Sequence, residues 1–401
     1  MGNTYAPEPQ QNRLAEVASL FLRLGFTAFG GPAAHIAMMR QEIVQRRKWI
    51  SDERFMDLMG IVNLIPGPNS TELVISLGYL RAGWPGLLIA GLCFIVPAML
   101  IVLAFAWLYV EFGTLPQVGW LFYGIKPIVI AIIAQALLGL SRTVLKGTLP
   151  IIMALLVLVA DLLGGNQLLL LATSGLIFVM VRWWVHRQKK ETVNSILPFS
   201  LASLSALWKG ASLATPVMMG AVATNIPVSL LTLFLTFLKI GSVLYGSGYV
   251  LLAFLHTDFV QNLGWITDQQ LLAAISVGQF TPGPVFTTAT FIGYLVARVP
   301  GALVATAGIF LPSFLFVALI HPLADKLRRS PWSAALLDGV NVASLALMGS
   351  VLIQLGQSTL IDVLTWLIAL LAFAILLRFK INAVWLILAG AIVGIVRFWL
   401  G

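Results

Sequence analysis

Apolar residues in this chain do not alternate with polar ones at the spacing of a surface helix; they run on. From 86 to 110 almost every position is hydrophobic, and the runs 121–140, 149–163 and 168–185 follow with short polar joints between them. Such stretches approach or exceed the ~20 apolar residues that cross a bilayer's hydrocarbon layer as a helix. The pattern predicts an all-α polytopic membrane protein. Two places break it in the same way: "LIPGPNSTEL" at 64–73 and "FTPGPVFTTAT" at 280–290 each set Pro-Gly-Pro and several hydroxyl or amide side chains inside an apolar context.

The two breaks belong to a longer repeat. "LFLRLGFTAFGG" (20–31) matches "TFLKIGSVLYGS" (236–247) at an offset of 216, which also pairs Gly25 with Gly241, Gly30 with Gly246, Trp49 with Trp265, and Pro66-Gly67-Pro68 with Pro282-Gly283-Pro284. After one deleted residue the offset becomes 215 and pairs Pro85 with Pro300 and Pro97 with Pro312. The chain reads as two homologous halves, 14–185 and 229–401, joined by a linker region at 186–228.

Charge then sets how the halves lie. The loop 40–54 holds five Lys or Arg and its counterpart 256–270 none, whereas 111–120 holds none and the matching 325–332 has Lys326, Arg328 and Arg329. Because cytoplasmic loops carry the excess of Lys and Arg, the halves are expected to be inverted, as in many secondary transporters. All basic loops fall on one side only if the chain turns back at Pro66-Gly67-Pro68 and returns Arg81 to the side of loop 40–54. Arg298 is then the one cation expected outside. Whether 14–39 and 229–255 cross the membrane or are re-entrant is open at this level.

Proline ends a helix and glycine permits positive φ, so Pro-Gly-Pro stops one helix and lets another begin. At membrane depth such a break is tolerated only where backbone is buried in protein or lines a wet cavity. Asn69, Ser70 and Thr71 in one half, and Thr287 and Thr288 in the other, are expected to cap the helices that follow. Free N–H groups and the positive helix end there would make an anion cradle. Gly30-Gly31 and Gly246 with Gly248 supply a second break in each half.

Ionisable residues within membrane segments are costly and default to functional candidates. Arg23 and Lys239 are equivalent, and each lies seven residues before its glycine break, roughly 10 Å along a helix. Lys126 has Asn341 as its counterpart, and Glu72 is the acid among these cations. The excess of cations suits a multiply charged anion; the alternative is that Arg23 and Lys239 snorkel to an interface. His35, matched by Leu251, can serve as a proton carrier or as a packing residue. Six tryptophans near segment ends, Trp49, Trp84, Trp107, Trp120, Trp183 and Trp184, read as interface anchors.

Composition agrees: 59% hydrophobic, 10% charged and a net charge of +9 concentrated in loops. The first 13 residues lack the pattern of a cleavable signal peptide, and Ala6 stands where a myristoylation signal has Ser or Thr. A single cysteine, Cys93, excludes an intrachain disulfide or a dithiol couple. No histidine spacing suggests a metal site, and no GxGxxG or haem-type pattern a cofactor, so a membrane redox enzyme is disfavoured.

The segments "LGFTAFGGPAAHIAMMRQEIVQRRKWISDERF", "NLIPGPNSTELVISLGYLRAGWPG", "FLKIGSVLYGSGYVLLAFL" and "TPGPVFTTATFIGYL" resemble the chromate ion transporter family in its long two-domain form, over about 20–351. The resemblance implies a multi-pass protein of the inner (plasma) membrane that exports chromate from the cytoplasm and confers chromate resistance. It implies sulfate as a competing analogue, the electrochemical gradient as driving force, and neither cofactor nor nucleic-acid partner. Transport of sulfate or another tetrahedral oxyanion would need the same cradle and stays open, as do the coupling ion and a homo-oligomeric state.

Overall fold

The computed structural model describes residues 10–63, 65–113, 115–191, 227–245, 250–320, 331–379 and 381–400. Gly246 and Gly248, most of the expected linker, and the basic stretch 326–329 lie outside them. Fourteen α-helices are described. In the first half they are α1 (Gln10–Thr27), α2 (Gly31–Arg40), α3 (Asp52–Val62), α4 (Asn69–Phe112), α5 (Pro116–Val144), α6 (Thr148–Leu162) and α7 (Gln167–Glu191). In the second they are α8 (Leu230–Val243), α9 (Leu251–Leu255), α10 (Asp268–Phe280), α11 (Thr288–Ile320), α12 (Pro331–Thr359), α13 (Val363–Arg378) and α14 (Ala383–Leu400). Among the described residues five stretches are long and apolar enough to cross a membrane: Asn69–Phe112, Val118–Val144, Gln167–Val185, Val285–Leu319 and Trp332–Thr359.

The repeat extends to backbone detail. α2 and α9 each run on into a π-helical turn, Gln41–Arg46 and His256–Asn262. α3 starts at Ser51, whose hydroxyl accepts from the Arg54 N–H, and α10 at the equivalent Thr267, which forms a reciprocal cap with Gln270. Each cap is worth ~1 kcal/mol. α4 bends sharply at Ala82 and Gly83, and α11 at Ala297 and Arg298, 215 positions later.

The glycine and proline breaks produce hairpins. α2 doubles back along α1: Arg23 reaches Glu42, and Arg47 reaches Glu16 at the start of α1. α3 and the first part of α4 form the next hairpin, which brings Arg81 onto Glu16 at 2.7 Å. Arg81 thus returns to the end of the molecule that carries loop 40–54, as the loop charges require. Beyond the bend at 82–83, the rest of α4 runs to the opposite end.

At that opposite end Glu111 pairs with Arg298, and Gln167 at the head of α7 donates to Thr257 in the second half's π turn. Second-half counterparts of the basic-end loop therefore sit at the far end. Gly91 of α4 faces Phe314 of α11, and α5 meets α12 with its C-terminal residues 140–144 near residues 338–341, so equivalent helices pack antiparallel. The halves are inverted. Arg298 is not the only cation at the far end: Arg397 is there too, held by Asp362 and the Tyr123 hydroxyl. The charge count missed it because α14 has a single basic residue close to its end.

Neither half packs as a unit of its own. α5 lies against α13 and α14, and α12 against α6 and α7, so each half lends its long helix to the other's final pair. Glycines make these crossings close: a methyl group at 124 would sit 1.9 Å from the Gly390 carbonyl oxygen, and one at 339 would sit 2.5 Å from that of Ser174. The largest apolar core accordingly mixes Val102, Ile128 and Leu171 with Phe237, Phe291 and Leu347. A second core, with Phe21, Phe55, Leu73 and Phe94, ties the first half's hairpins together. α7 runs to Glu191, past position 186 where the sequence placed the linker; nothing from 186 to 191 breaks a helix.

Candidate functional site

Both Pro-Gly-Pro motifs are true interruptions. Helix stops at Val62 and Phe280 and resumes at Asn69 and, after a short 3₁₀ turn at Val285–Thr287, at Thr288. Gly67 (φ 137°) and Gly283 (φ 87°) occupy backbone conformations that L side chains rarely adopt. Each break is pinned to the other half. The Gly67 N–H donates to the Leu244 carbonyl at 2.7 Å, and the Gly283 N–H donates to the Ala28 carbonyl at 2.9 Å. Leu244 and Ala28 are themselves equivalent, at the ends of α8 and α1. Polar backbone that would be stranded in an apolar interior is thus satisfied by a reciprocal pair of bonds across the pseudo-twofold.

His35 adds an asymmetric brace. Its Nε2 donates to the same Ala28 carbonyl at 3.0 Å, its ring meets the Phe94 ring edge-on, and Leu251 stands at the matching place in the other half. Gly30 (φ 105°) and Gly31 (φ 75°) make the second first-half break and open α2, with Pro32 in its first turn.

Between these elements lies a cavity of about 800 Å³. It is lined by Pro32 and Ala33 at the head of α2, by Pro68, Asn69 and Ser70 at the head of α4, and by Val285 and Phe286 from the second half's break. Asn63, Asp338 and Asn341 add polar groups, and Thr143 and Lys146 stand exposed at its mouth. The mouth lies at the C-terminal end of α5, among basic-end residues. At the opposite end Tyr123 donates to Asp362 at 2.5 Å and Arg397 binds both. By the repeat, Tyr123 and Arg397 correspond to Asp338 and Arg182 at the open end.

The hydroxyls after the breaks do not cap as expected. Pro68 is the residue before α4 and Asn69, Ser70 and Thr71 are already helical, with no side-chain cap. Asn69 donates its amide to Asn63 at 2.8 Å, and the buried Thr71 hydroxyl has no partner. In the second half Thr287 and Thr288 donate back to the Pro284 and Val285 carbonyls. Proline in the preceding position starts these helices one residue early, which leaves the first N–H groups uncapped. Asn69 and Ser70 therefore face the cavity with unclaimed backbone donors.

Arg23 and Lys239 lie elsewhere. Arg23 pairs with Glu42 at 2.8 Å and Lys239 with Asp258 at 2.6 Å, an equivalent pair of ion pairs that clip each half's first hairpin. Neither lines the cavity. Glu42 and Asp258, which sequence reasoning passed over, were detectable as acids at matching offsets in otherwise dissimilar loops. Lys126 is half-buried on α5 with no ion pair or hydrogen bond among the described residues, while its counterpart Asn341 lines the cavity. Glu72, in the first turn of α4, is fully buried beneath the first break. No group of three or more possible metal ligands occurs among the described residues.

Comparison with known proteins decides the family. The chromate transporter family model matches residues 15–180 and again 231–395, one copy for each half. The chain belongs to the chromate transporter family. Among its relatives, the chromate transport protein of Cupriavidus metallidurans is 34% identical across 96% of this chain and 93% of its own length. The probable chromate transport protein of Synechococcus elongatus is 31% identical across 96% of both chains, and the chromate transport protein of Pseudomonas aeruginosa 31% across 93% and 90%. No solved structure matches the chain. Family membership and the long apolar helices make this a multi-pass membrane transporter rather than an enzyme.

Proposed function

We propose that this chromate transporter exports chromate from the cytoplasm, binding the oxyanion in the cavity where the two Pro-Gly-Pro breaks and the head of α2 converge. The observation that carries this reading is the cavity's lining, which brings residues of both halves' breaks together with Thr143 and Lys146 at the basic end. Unclaimed N–H groups at the heads of α2 and α4, with the positive ends of their helix dipoles, would hold a tetrahedral dianion. Lys146 at the mouth would draw it in.

The inverted repeat supplies the other half of the cycle. Exchange of the two halves' conformations would close the Thr143 and Lys146 mouth and open the end now held by Tyr123, Asp362 and Arg397. Lys126, at Asn341's equivalent place, would then line the exit cavity and receive the anion there. Arg23 and Lys239 serve on this reading as hairpin clips rather than substrate ligands. Placement of the basic end in the cytoplasm follows the loop charges, and on this reading the membrane is the inner (plasma) membrane.

Flux of labelled chromate into everted vesicles tests the proposal, with sulfate as competitor and with pH and voltage gradients imposed separately. Chromate uptake that a voltage drives and sulfate inhibits is expected. Saturable sulfate uptake without chromate uptake would move the substrate to sulfate, and flux of neither would remove the oxyanion reading.

A further inference from the structure

Glu72 is an acid where the second half has Thr288. It is 0% exposed. One carboxylate oxygen accepts from the Ser313 hydroxyl of α11 at 3.5 Å, and the other has no partner among the described residues. The Tyr245 phenol, beyond the end of α8, is a titratable neighbour among the described residues. On its own helix the buried hydroxyl residues Thr71 and Ser76 flank it in sequence, and no Lys, Arg or His of the described residues pairs with it. Gly67 packs so tightly over it that a methyl there would lie 2.2 Å from a carboxylate oxygen.

A bare carboxylate in this place has neither counter-ion nor adequate hydrogen bonds, which an apolar interior penalises heavily. A metal ion would need several further oxygen ligands and room for them, and the packing of Gly67 denies that room. A proton needs neither. The position matters as much as the burial. A negative charge in a helix's first turn uses the positive end of the dipole for itself, so an ionised Glu72 competes with any anion held by Asn69 and Ser70. A neutral Glu72 leaves that field to the substrate.

We infer that Glu72 is a proton-binding site and that a proton on it is the condition for a dianion to occupy the head of α4. The inference rests on the cavity reading above. Oxyanion and proton then bind together, each strengthening the other by the same factor, and the transported unit carries one negative charge fewer than the oxyanion alone. His35, also buried near the breaks, donates through Nε2 to the Ala28 carbonyl and keeps an Nδ1 with no partner among the described residues, so the Glu72 variants are needed to tell its proton from that of Glu72.

Sulfate binding to the purified protein tests this, because sulfate stays a dianion from roughly pH 5.5 to 8.5 and does not change charge with the protein. Wild-type affinity should fall with rising pH by up to about tenfold per unit on the alkaline side. Sulfate added in weak buffer at neutral pH should draw a proton from solution. Glu72→Gln should bind sulfate with little pH dependence and without proton uptake. Glu72→Thr, which installs the second half's residue in a smaller volume, should do the same should the Gln variant fail to fold. Sulfate binding by wild type with no proton uptake, or uptake that persists in the variants, would overturn the assignment alone. Failure of wild type to bind sulfate or chromate at any pH would overturn the cavity reading and this inference with it.

Discussion

The two halves share a backbone and differ in their polar chemistry. Breaks, π turns, hairpin ion pairs and helix bends recur at offsets of 215 or 216, down to the reciprocal bonds from Gly67 to Leu244 and from Gly283 to Ala28. Yet Glu72 faces Thr288, His35 faces Leu251, Lys126 faces Asn341, and Tyr123 faces Asp338. A perfect inverted repeat would be equally stable open to either side, since the two states would be one structure turned over. Any preference must come from the residues that differ. The shared backbone makes the breaks; a preference for one opening can arise only where the side chains are unshared.

Substituting the break glycines should cause the largest effect, and should do so in both halves alike. A methyl at 283 would lie 2.6 Å from the Ala98 side chain, and at both 67 and 283 the backbone is left-handed, costing ~1–2 kcal/mol for an L residue. Gly67→Ala and Gly283→Ala should each abolish vesicle chromate flux; wild-type flux in either would reduce that break to packing.

Loss of the hairpin clips should separate the halves. Glu42 keeps Arg46 at 2.7 Å and Arg47 at 3.7 Å after Arg23 is lost, whereas Asp258 has Lys239 alone among the described residues. Lys239→Met should therefore destabilise by about 1–3 kcal/mol and Arg23→Met by less, read as thermal unfolding in detergent. Equal losses would mean that the extra arginines contribute nothing.

Asp362→Asn frees Arg397 at the closed end and should raise, several-fold, the labelling from outside of a cysteine placed at Lys126 after Cys93 is replaced. The Asp338→Asn change at the open end should not. Unchanged labelling in Asp362→Asn would place the closure elsewhere.

The smallest effect belongs to Arg298, whose φ of 53° matches the 66° of Gly83 at the equivalent bend. Arg298→Gly should relieve strain of about 1 kcal/mol and forfeit an exposed 3.4 Å pair with Glu111 worth ~0–1 kcal/mol. The net change in unfolding temperature should be near zero; a large loss would show that Arg298 acts in closure.

What the sequence by itself determined here was local or periodic. Apolar runs specify membrane helices, proline and glycine specify where backbone must break, and unequal loop charge specifies inversion, because each depends on a few neighbouring residues and on the bilayer. The return of Arg81 to the basic end was legible for that reason. Tertiary structure alone decided the partners. Arg23 and Glu42 meet only because α2 folds back on α1, so a cation that looked free for substrate is neutralised by an acid 19 residues away, as Lys239 is by Asp258. The exchange of α5 and α12 between halves, the pinning of each break to the other half and the isolation of Glu72 beneath Gly67 are likewise long-range. They arise from helices meeting across the pseudo-twofold, and no spacing along one chain records which faces will touch.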